Sequence, residues 1–306
     1  MKNKRRMNKK ILLTGATGFV GRNIVPILKK DYGIDTIGRK EGNTYICDLS
    51  EDVPELNGEY DIVYHIAGKA HTVPRTESEA KVFFDVNLQG TVNLCKALEK
   101  RPLPKSFIFL STVAVYGCDF GETITEQHPL EGKTPYALSK LQAENYLIRW
   151  CEERHIVLTI LRPSLIAGPN PPGNLGAMIH GIKNGLYASI AGGKARKSVL
   201  MVDDLAYIVP LCADKGGIYN MCCDEQPTFG ELGNLIAAQL GKSKPMNIPS
   251  WLATFMAKVG DLLGSKAPIN SLKLKKITES LTFSNKMAEK SLGWKPLPVM
   301  KNFKIK

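Results

Sequence analysis

The stretch KILLTGATGFVG, residues 10–21, decides the fold of this chain. Its first five residues predict a buried strand, and its last residues open a helix that we predict over 18–30. In the loop between them, Gly15 permits a tight turn, Gly18 lets the backbone approach a pyrophosphate, and Gly21 allows close packing of helix on strand. The helix N-terminus then stabilises the phosphate charge. The stretch indicates a dinucleotide-binding loop, against the alternative of a glycine-rich turn that only packs a helix.

Farther along the first half of the chain, short apolar runs alternate with amphipathic helical stretches. Continuous apolar runs of this kind predict a parallel sheet that is covered on both faces. Right-handed crossovers make such a sheet doubly wound, so we expect an α/β, Rossmann-type fold. The predicted strands lie at 10–14, 34–37, 44–47, 61–66, 106–110 and 156–161, and the helices at 18–30, 75–100 and 135–154.

The pattern changes after about residue 165, where the stretch GPNPPGNLG at 168–176 predicts a loop. Beyond it the predicted strands are weaker and the helices shorter. We therefore expect a smaller C-terminal substrate-binding lobe over the carboxyl edge of the sheet. The expected division is 1–165 for the dinucleotide-binding domain, with a return to it within 198–222, and 166–197 with 223–306 for the lobe.

The composition is that of an ordinary globular protein: 306 residues, 43% of them hydrophobic and 23% charged. The net charge of +12 lies at the two ends, because residues 1–10 contribute +6 and residues 258–306 contribute +8, which leaves −2 elsewhere. Basic ends are typical of solvated surfaces, of contact with anionic lipid or of anionic substrates. No zinc finger, RNP-like motif or basic helix interleaved with aromatics occurs, so we expect no nucleic-acid partner.

The seven cysteines are scattered, odd in number and without a CxxC pair, and the five histidines form no HExxH motif. This pattern argues against a disulfide framework and against a metal site, and a reducing cytoplasm is the simplest compartment. The chain has no apolar run of ~18 residues, so we expect no membrane span. The run Ile11–Leu13 is too short for a signal peptide, and Met7 is a candidate native start.

The end of the second predicted strand selects the cofactor. An acidic residue there would accept from the adenosine ribose, whereas a basic residue would meet a 2′-phosphate. Here Arg39 and Lys40 follow the strand, and the first acid is Glu41. The planar guanidinium of Arg39 suits a phosphate or an adenine ring, so NADP(H) is favoured and NAD(H) remains the alternative.

Tyr136 and Lys140 stand at i and i+4 in YALSK, on one face of a predicted helix. A nearby ammonium and an oxidised nicotinamide both lower a tyrosine pKa, and such a tyrosine exchanges a proton with a substrate oxygen while hydride moves. Ser111 and Thr112 follow the fifth strand, where the Thr112 hydroxyl can bond the same oxygen. The alternative for this pair is capping of the strand end.

Together these residues resemble the extended short-chain dehydrogenase/reductases that act on sugar nucleotides. The resemblance covers nearly the whole chain and rests on several motifs in order. They are TGATGFVG at 14–21, Asp48-Leu49, His65-Ile66-Ala67-Gly68, Asn87, LSTVAVYG at 110–117, YALSK at 136–140 and LRPSLIAGP at 161–169.

The resemblance implies a catalytic set of Thr112, Tyr136 and Lys140, with Lys140 also bonding the nicotinamide ribose. It places Asp48 and Leu49 near adenine. The cofactor-binding residues that it implies are Gly15, Thr17, Gly18, Phe19, Val20, Arg39, Asp48, Leu49, Ala67, Gly68, Asn87, Ser111, Tyr136, Lys140 and Pro163.

On the substrate side, the resemblance implies that Asn174, in the loop at 168–176, contacts the nucleotide sugar. It assigns the substrate pyrophosphate to Arg196 or Lys197 without deciding between them. The acids at 203 and 204 begin the next predicted helix, and we expect one of them to be its N-cap, in a structural role.

The two residues after Thr112 narrow the reaction. Dehydratases of this family carry an Asp-Glu pair there, but this chain has Val113 and Ala114, so dehydration is disfavoured. The chain is similar to the subgroup that acts at C4 of UDP-linked 6-deoxy-hexosamines for surface polysaccharides, although Tyr116 replaces a frequent asparagine. We expect 4-keto reduction of a UDP-sugar, with a UDP-sugar 4-epimerase that retains NAD as the alternative. A non-catalytic nucleotide-binding scaffold is the further alternative.

Two larger contacts are also expected. The stretch PSWLATFMAKVGDLLG at 249–264 has an apolar helical pattern beside the Lys-rich end, which fits either peripheral membrane binding or packing on the substrate lobe. The resemblance implies a homodimer in which the helical stretches 75–100 and 136–154 pair as a four-helix bundle.

Overall fold

The computed structural model describes residues 9–263 and 270–305. The candidate start Met7 and most of the basic N-terminus lie outside the described residues, as does Gly264 of the apolar helical stretch. The strands are β1 (Lys10–Thr14), β2 (Gly33–Gly38), β3 (Tyr45–Ile46), β4 (Ile62–His65), β5 (Ser106–Leu110), β6 (Gly121–Ile124), β7 (Val157–Pro163), β8 (Leu165–Ala167), β9 (Ala188–Ile190), β10 (Val199–Met201), β11 (Gly217–Met221), β12 (Met246–Ile248) and β13 (Leu281–Phe283). The α-helices are α1 (Phe19–Leu28), α2 (Glu77–Phe84), α3 (Gly90–Leu98), α4 (Pro135–Glu153), α5 (Gly173–Lys183), α6 (Asp204–Tyr207), α7 (Val209–Cys212), α8 (Phe229–Gln239), α9 (Ser250–Leu263), α10 (Ser271–Thr278), α11 (Lys286–Leu292) and α12 (Val299–Asn302).

Seven parallel strands form the main sheet in the order β11-β7-β5-β4-β1-β2-β3. The order reverses between β1 and β4, which are neighbours in register from Ile11 opposite Ile62 to Thr14 opposite His65. A crevice at such a reversal is where open α/β sheets bind ligands. The predicted Rossmann-type fold is confirmed.

The strands read as continuous apolar runs because helices cover both faces. Ile11 and Leu13 of β1 pack with Ile24 of α1 on one face. Leu12 of the same strand packs on the other face, in the cluster that contains Leu147 of α4. Side chains alternate across a strand, so two buried faces require apolar residues at every position.

Several predicted elements differ in extent from the observed ones, as three examples show. The helix predicted over 75–100 begins at Glu77, after the Thr76 side chain caps it, and a π-helical segment at Asp85–Gln89 separates α2 from α3. The third strand has only two residues. The predicted loop 168–176 ends early, since α5 begins at Gly173.

The C-terminal elements build a separate core beside the sheet. Small parallel pairs form between β8 and β10, β9 and β12, and β6 and β13. Leu175 and Met178 of α5 pack there with Leu232 and Ile236 of α8. Among the helices of the described residues, none combines the length and apolar composition needed to cross a bilayer.

Candidate active site

The glycine loop after β1 has the close contacts that the sequence predicts. Gly15 has a φ of 78°, and a Cβ there would lie 2.8 Å from the Ala67 backbone nitrogen. A Cβ on Gly21 would lie 2.3 Å from the Gly15 carbonyl oxygen, so α1 packs directly on the loop. Gly18 is the N-cap of α1 and offers no side-chain cap to the first-turn amides, which suits an anion.

A buried chain of polar groups joins the ends of β1 and β4. The Thr14 hydroxyl lies 2.6 Å from His65 Nδ1 and accepts from the Ala67 amide at 3.0 Å. The other ring nitrogen of His65 lies 2.9 Å from the Thr91 hydroxyl. Burial lowers the pKa of His65 to about 3, and the nearby Lys140 ammonium adds to this, so the ring is neutral. These contacts fix both sides of the crevice.

Asn87 ties the loop after β4 to the helix α4. Its amide oxygen accepts from the Lys69 backbone at 2.7 Å, and its amide nitrogen donates to the Ser139 hydroxyl at 2.9 Å. Asn87 lies in the π-helical segment, and such segments are frequent at functional sites. A Cβ on Gly68 would lie 3.0 Å from Lys140 Nζ, which puts the loop after β4 against the predicted catalytic helix.

The predicted catalytic set converges at the carboxyl end of β5. Thr112 follows the strand, and its hydroxyl accepts from the Ala114 amide at 3.1 Å, which caps the 3₁₀ turn at Val113–Tyr116. Tyr136 and Lys140 come from the first two turns of α4, where the Thr134 side chain caps the helix. Lys140 Nζ donates to the Leu110 carbonyl at 2.9 Å.

The protonation of this set is governed by burial. Desolvation lowers the pKa of Lys140 to about 8, while the Glu144 carboxylate acts in the opposite direction. Desolvation raises the pKa of Tyr136, and the Thr112 hydroxyl opposes it. The sequence predicts that the Lys140 ammonium lowers the pKa of Tyr136. The protein's own groups raise this pKa instead. Lys140 Nζ is directed at a main-chain carbonyl of β5 instead.

A buried ion pair adjoins the predicted catalytic set, and the sequence motifs did not predict it. Glu144 and Arg162 lie 2.6 Å apart with side chains that are almost fully buried. The hydroxyl of Ser111, a predicted cofactor ligand, donates to the Glu144 carboxylate. The sequence did contain a signal for Glu144, because it follows Lys140 by four residues and therefore lies on the same face of the helix.

Tyr116 belongs to the same network. Its phenol accepts from Arg162 at 3.1 Å and donates to the Asn220 side chain at 2.7 Å. Its ring stacks on Phe283 with centroids 5.8 Å apart. The tyrosine at this position is thus a buried structural residue that joins the sheet to β13.

Arg39 and Asp48, which the resemblance assigns to the cofactor, lie next to each other after β2 and β3. The Arg39 guanidinium is 74% exposed and lies 3.6 Å from the Asp48 carboxylate. Hydrogen bonds from Ser50 and the charge of Arg39 lower the pKa of Asp48. Leu49 is held in place by the Asn93 amide, which donates to its carbonyl at 2.9 Å.

The model of the NAD dependent epimerase/dehydratase family matches residues 11–222. The chain belongs to this family. The match spans the glycine loop, the predicted catalytic set and the strand that returns to the sheet, and it confirms the resemblance inferred from the motifs.

Curated members of the family include several similar relatives. A UDP-glucose 4-epimerase of Vibrio cholerae is 28% identical over 95% of this chain and 92% of its own length. An N-acetyl-alpha-D-glucosaminyl-diphospho-ditrans,octacis-undecaprenol 4-epimerase of Escherichia coli O157:H7 is 28% identical over 90% and 88%. A GDP-6-deoxy-D-mannose reductase of Pseudomonas aeruginosa is 27% identical over 76% and 80%. The predicted class, an NAD(P)-dependent sugar-nucleotide enzyme, is confirmed.

Solved structures share the fold of this family member. RMD from Pseudomonas aeruginosa, complexed with NADPH, has a TM-score of 0.72 at 22% identity over 97% of this chain and 96% of that one. A UDP-glucose 4-epimerase from Thermotoga maritima has a TM-score of 0.74 at 20% identity over 96% of both chains.

The remaining predicted cofactor residues of this epimerase/dehydratase family member lie near the start of α1 and at the end of β7. Thr17 is exposed at the start of α1, and Phe19 and Val20 are half-buried in its first turn. Pro163 is buried at the end of β7.

One of the three predicted substrate residues, Asn174, lies in a different element from the predicted loop. Asn174 is exposed on the first turn of α5 and not in a loop, because the helix begins at Gly173. Lys197 Nζ donates to the carbonyl oxygens of Lys276 and Glu279, at 3.3 and 3.0 Å. Arg196 remains exposed and donates from one nitrogen to the Gln226 carbonyl at 2.9 Å.

The two acids after β10 are structural. Asp203 occupies the N-cap of α6, but its side chain makes no capping hydrogen bond. Asp204 accepts from the Leu297 amide at 3.1 Å instead. Burial raises its pKa to about 7. The prediction of a structural role agrees with these contacts, whereas side-chain capping of α6 does not occur.

Proposed function

We propose that this chain reduces a 4-keto, UDP-linked 6-deoxy-hexosamine at C4 with NADPH. The observation that carries the proposal is the convergence of Thr112, Tyr136 and Lys140 at the sheet edge beside the glycine loop. The contacts of Gly15 and Gly21 leave no room for side chains, and the first turn of α1 is uncapped, as a bound dinucleotide requires.

The nicotinamide supplies a hydride to C4 when it is bound. Tyr136 donates the proton that the 4-keto oxygen gains, and the Thr112 hydroxyl holds that oxygen. Burial keeps the Tyr136 phenol protonated at neutral pH, which is the form that a ketone reduction consumes. Lys140 is held by the Leu110 carbonyl and by the ring of Phe109, whose centroid lies 4.6 Å from Nζ.

Arg39 supports NADP(H) as the cofactor. Its exposed guanidinium follows β2, where a 2′-phosphate would lie, and the end of that strand carries no acidic residue. The neighbouring Asp48 offsets part of the positive charge, which keeps NAD(H) as the alternative. Among the structures of similar fold, RMD is complexed with NADPH.

The second candidate function is a UDP-sugar 4-epimerase that retains NAD. The relative from Vibrio cholerae favours it, because the match to that UDP-glucose 4-epimerase covers nearly both chains. The same three residues serve both reactions, since an epimerase oxidises C4, rotates the ketone and reduces its other face. Dehydratases are also relatives, but Val113 and Ala114 have no group that transfers a proton.

We further propose that the C-terminal core is the substrate-binding lobe and that Arg196 binds the substrate pyrophosphate. Lys197 is engaged with two carbonyl oxygens, whereas the Arg196 guanidinium keeps most of its donors at the surface. Asn174, at the first turn of α5, faces the nucleotide sugar in this arrangement.

The test supplies UDP-4-keto-6-deoxy-N-acetylhexosamine with NADPH and follows the absorbance of the reduced nicotinamide, with Tyr136→Phe as the inactive control. We expect stoichiometric NADPH oxidation. Interconversion of UDP-glucose and UDP-galactose without added reductant, and no NADPH consumption with the ketone, would establish the epimerase. A chain that binds nucleotide but converts no UDP- or dTDP-sugar would be a scaffold.

A further inference from the structure

The helix α9 is built with its small residues inward and its large apolar residues outward. Ala253, Ala257 and Gly260 are buried. Trp251, Phe255 and Leu262 have 72%, 63% and 88% of their surface exposed. A helix packed on a lobe normally buries its large apolar side chains. Packing on the protein therefore does not account for the aromatic and aliphatic residues of this helix.

The next helix extends the same kind of surface. None of the residues of α10 is buried, and Leu272 is 61% exposed. The Asp261 carboxylate accepts from the Ser271 amide at 2.9 Å and from its hydroxyl at 2.5 Å, which joins the end of α9 to the start of α10. We call the exposed residues of α9 and α10 the helix-pair surface.

The helix-pair surface is basic as well as apolar. The charged side chains of the two helices are those of Lys258, Lys273, Lys275 and Lys276 against the single acid Asp261. Two neighbouring acids outside the helices, Glu279 and Asp119, pair with Lys275 and Lys276. Apolar aromatics beside lysines are the composition of helices that lie in an anionic membrane interface.

The surface is also fixed to the body of the protein. Lys276 forms an ion pair with Asp119 at 2.9 Å, and Lys275 Nζ lies 4.2 Å from the centroid of the Phe120 ring. Lys197, next to the proposed pyrophosphate residue, donates to carbonyl oxygens at the end of α10. Whatever the surface binds is therefore held at the substrate lobe.

We propose that the helix-pair surface docks on an anionic lipid bilayer, with Trp251, Phe255 and Leu262 in the interface. A second copy of the chain is the poorer occupant, because a two-fold contact would bring two surfaces of the same positive charge together. Lipid phosphates offset the lysines while the acyl boundary takes up the apolar side chains. The proposal goes beyond the reaction and does not depend on it.

The test mixes the full chain with phosphatidylcholine vesicles, with or without phosphatidylglycerol, and measures sedimentation and tryptophan fluorescence. Of the three tryptophans, Trp150 and Trp294 are buried, so a blue shift reports Trp251. We expect co-sedimentation and a blue shift with the anionic vesicles. Absence of binding to both kinds of vesicle would overturn the proposal.

The matched variants are Phe255→Ser with Leu262→Ser, and the control Ile46→Ser with Leu103→Ser, whose residues are exposed elsewhere. We expect the first pair to lower the partition coefficient at least about tenfold and the control pair to leave it unchanged. All variants keep the basic N-terminus, so binding that survives the first pair would overturn the proposal. A loss of self-association without vesicles, in the first pair alone, would instead assign the surface to a second copy.

Discussion

Tyr136 and Lys140 show how the pKa of a side chain depends on its place in the fold. Both are ordinary side chains on one helix face, but burial raises the pKa of the phenol and lowers that of the ammonium to about 8. In both cases burial favours the uncharged form, because a charged group is poorly solvated away from water. The phenol is therefore held as a proton donor, which is the role that a ketone reduction requires.

Replacing the phenol tests the role of Tyr136. We expect Tyr136→Phe to lower turnover by about 10²–10⁴, because the ring remains and only the proton donor is lost. Cofactor affinity, measured by fluorescence titration of NADPH, should change little. Turnover close to that of the wild type would contradict the assignment.

We propose that Arg39 selects the cofactor, which is a prediction at the same scale. Arg39→Ala should weaken NADPH binding by about tenfold or more, since a charge-assisted contact to a phosphate is lost, and should leave NADH binding nearly unchanged. Lys40→Ala is the neighbouring control. Equal losses for both cofactors in isothermal titration would mean that Arg39 does not bind a 2′-phosphate.

His65 makes the stability depend on pH. Its folded pKa of about 3 lies below the usual value of 6.5, so the unfolded chain takes up a proton first as the pH falls. The contribution is therefore complete above about pH 6.5 and decreases at lower pH, by about 2 kcal/mol at pH 5. Urea unfolding at pH 7.5 and 5 should show a smaller pH effect in His65→Gln. An equal pH dependence of the unfolding free energy in the wild type and in His65→Gln would contradict this assignment to His65.

At the scale of elements, the contact between α1 and the glycine loop sets the shape of the crevice. Gly21→Ala would place a Cβ 2.3 Å from the Gly15 carbonyl oxygen, so the helix must move away. We expect a loss of about 1–3 kcal/mol in unfolding free energy together with weaker dinucleotide binding.

Gly90→Ala is the matched control for that change. It is also helical, and its nearest contact would be an ordinary 3.5 Å from the Leu49 Cβ. Denaturation and NADPH titration should show the wild-type values or slightly higher stability in this variant. Comparable losses in both variants would show that the close approach at Gly21 does not explain the effect.

At the scale of the whole molecule, α2 and α4 lie side by side and present apolar residues outward. Val82, Leu138 and Ile148 are exposed on these helices, and Phe83 packs near Tyr136 with ring centroids 6.2 Å apart. We propose that a two-fold contact through these helices forms a homodimer that covers them next to the active site.

Acidic substitutions at the proposed contact through α2 and α4 should dissociate the dimer. Leu138→Glu with Ile148→Glu is expected to convert a dimer into monomers in sedimentation velocity, because a buried unpaired carboxylate is costly. Leu103→Glu, on an exposed loop, should leave the dimer intact. A wild-type chain that sediments as a monomer would contradict the proposal.

The sequence by itself determined the fold class and the local motifs. The strands at 10–14 and 106–110, the helix N-terminus after the glycines and the pair Tyr136 and Lys140 all depend on residues a few positions apart. Such features follow from backbone geometry, from the period of apolar residues and from glycine at positions that exclude a Cβ.

Only the tertiary structure decided how these local pieces are joined. The Thr14–His65 contact and the Glu144–Arg162 ion pair link separate strands and helices. The apolar pattern of α9 likewise did not predict which face of this helix packs against the protein. A pattern gives the polarity of each position, but burial depends on neighbours distant in sequence, and here the small side chains of α9 allow the close approach while the large ones remain outside.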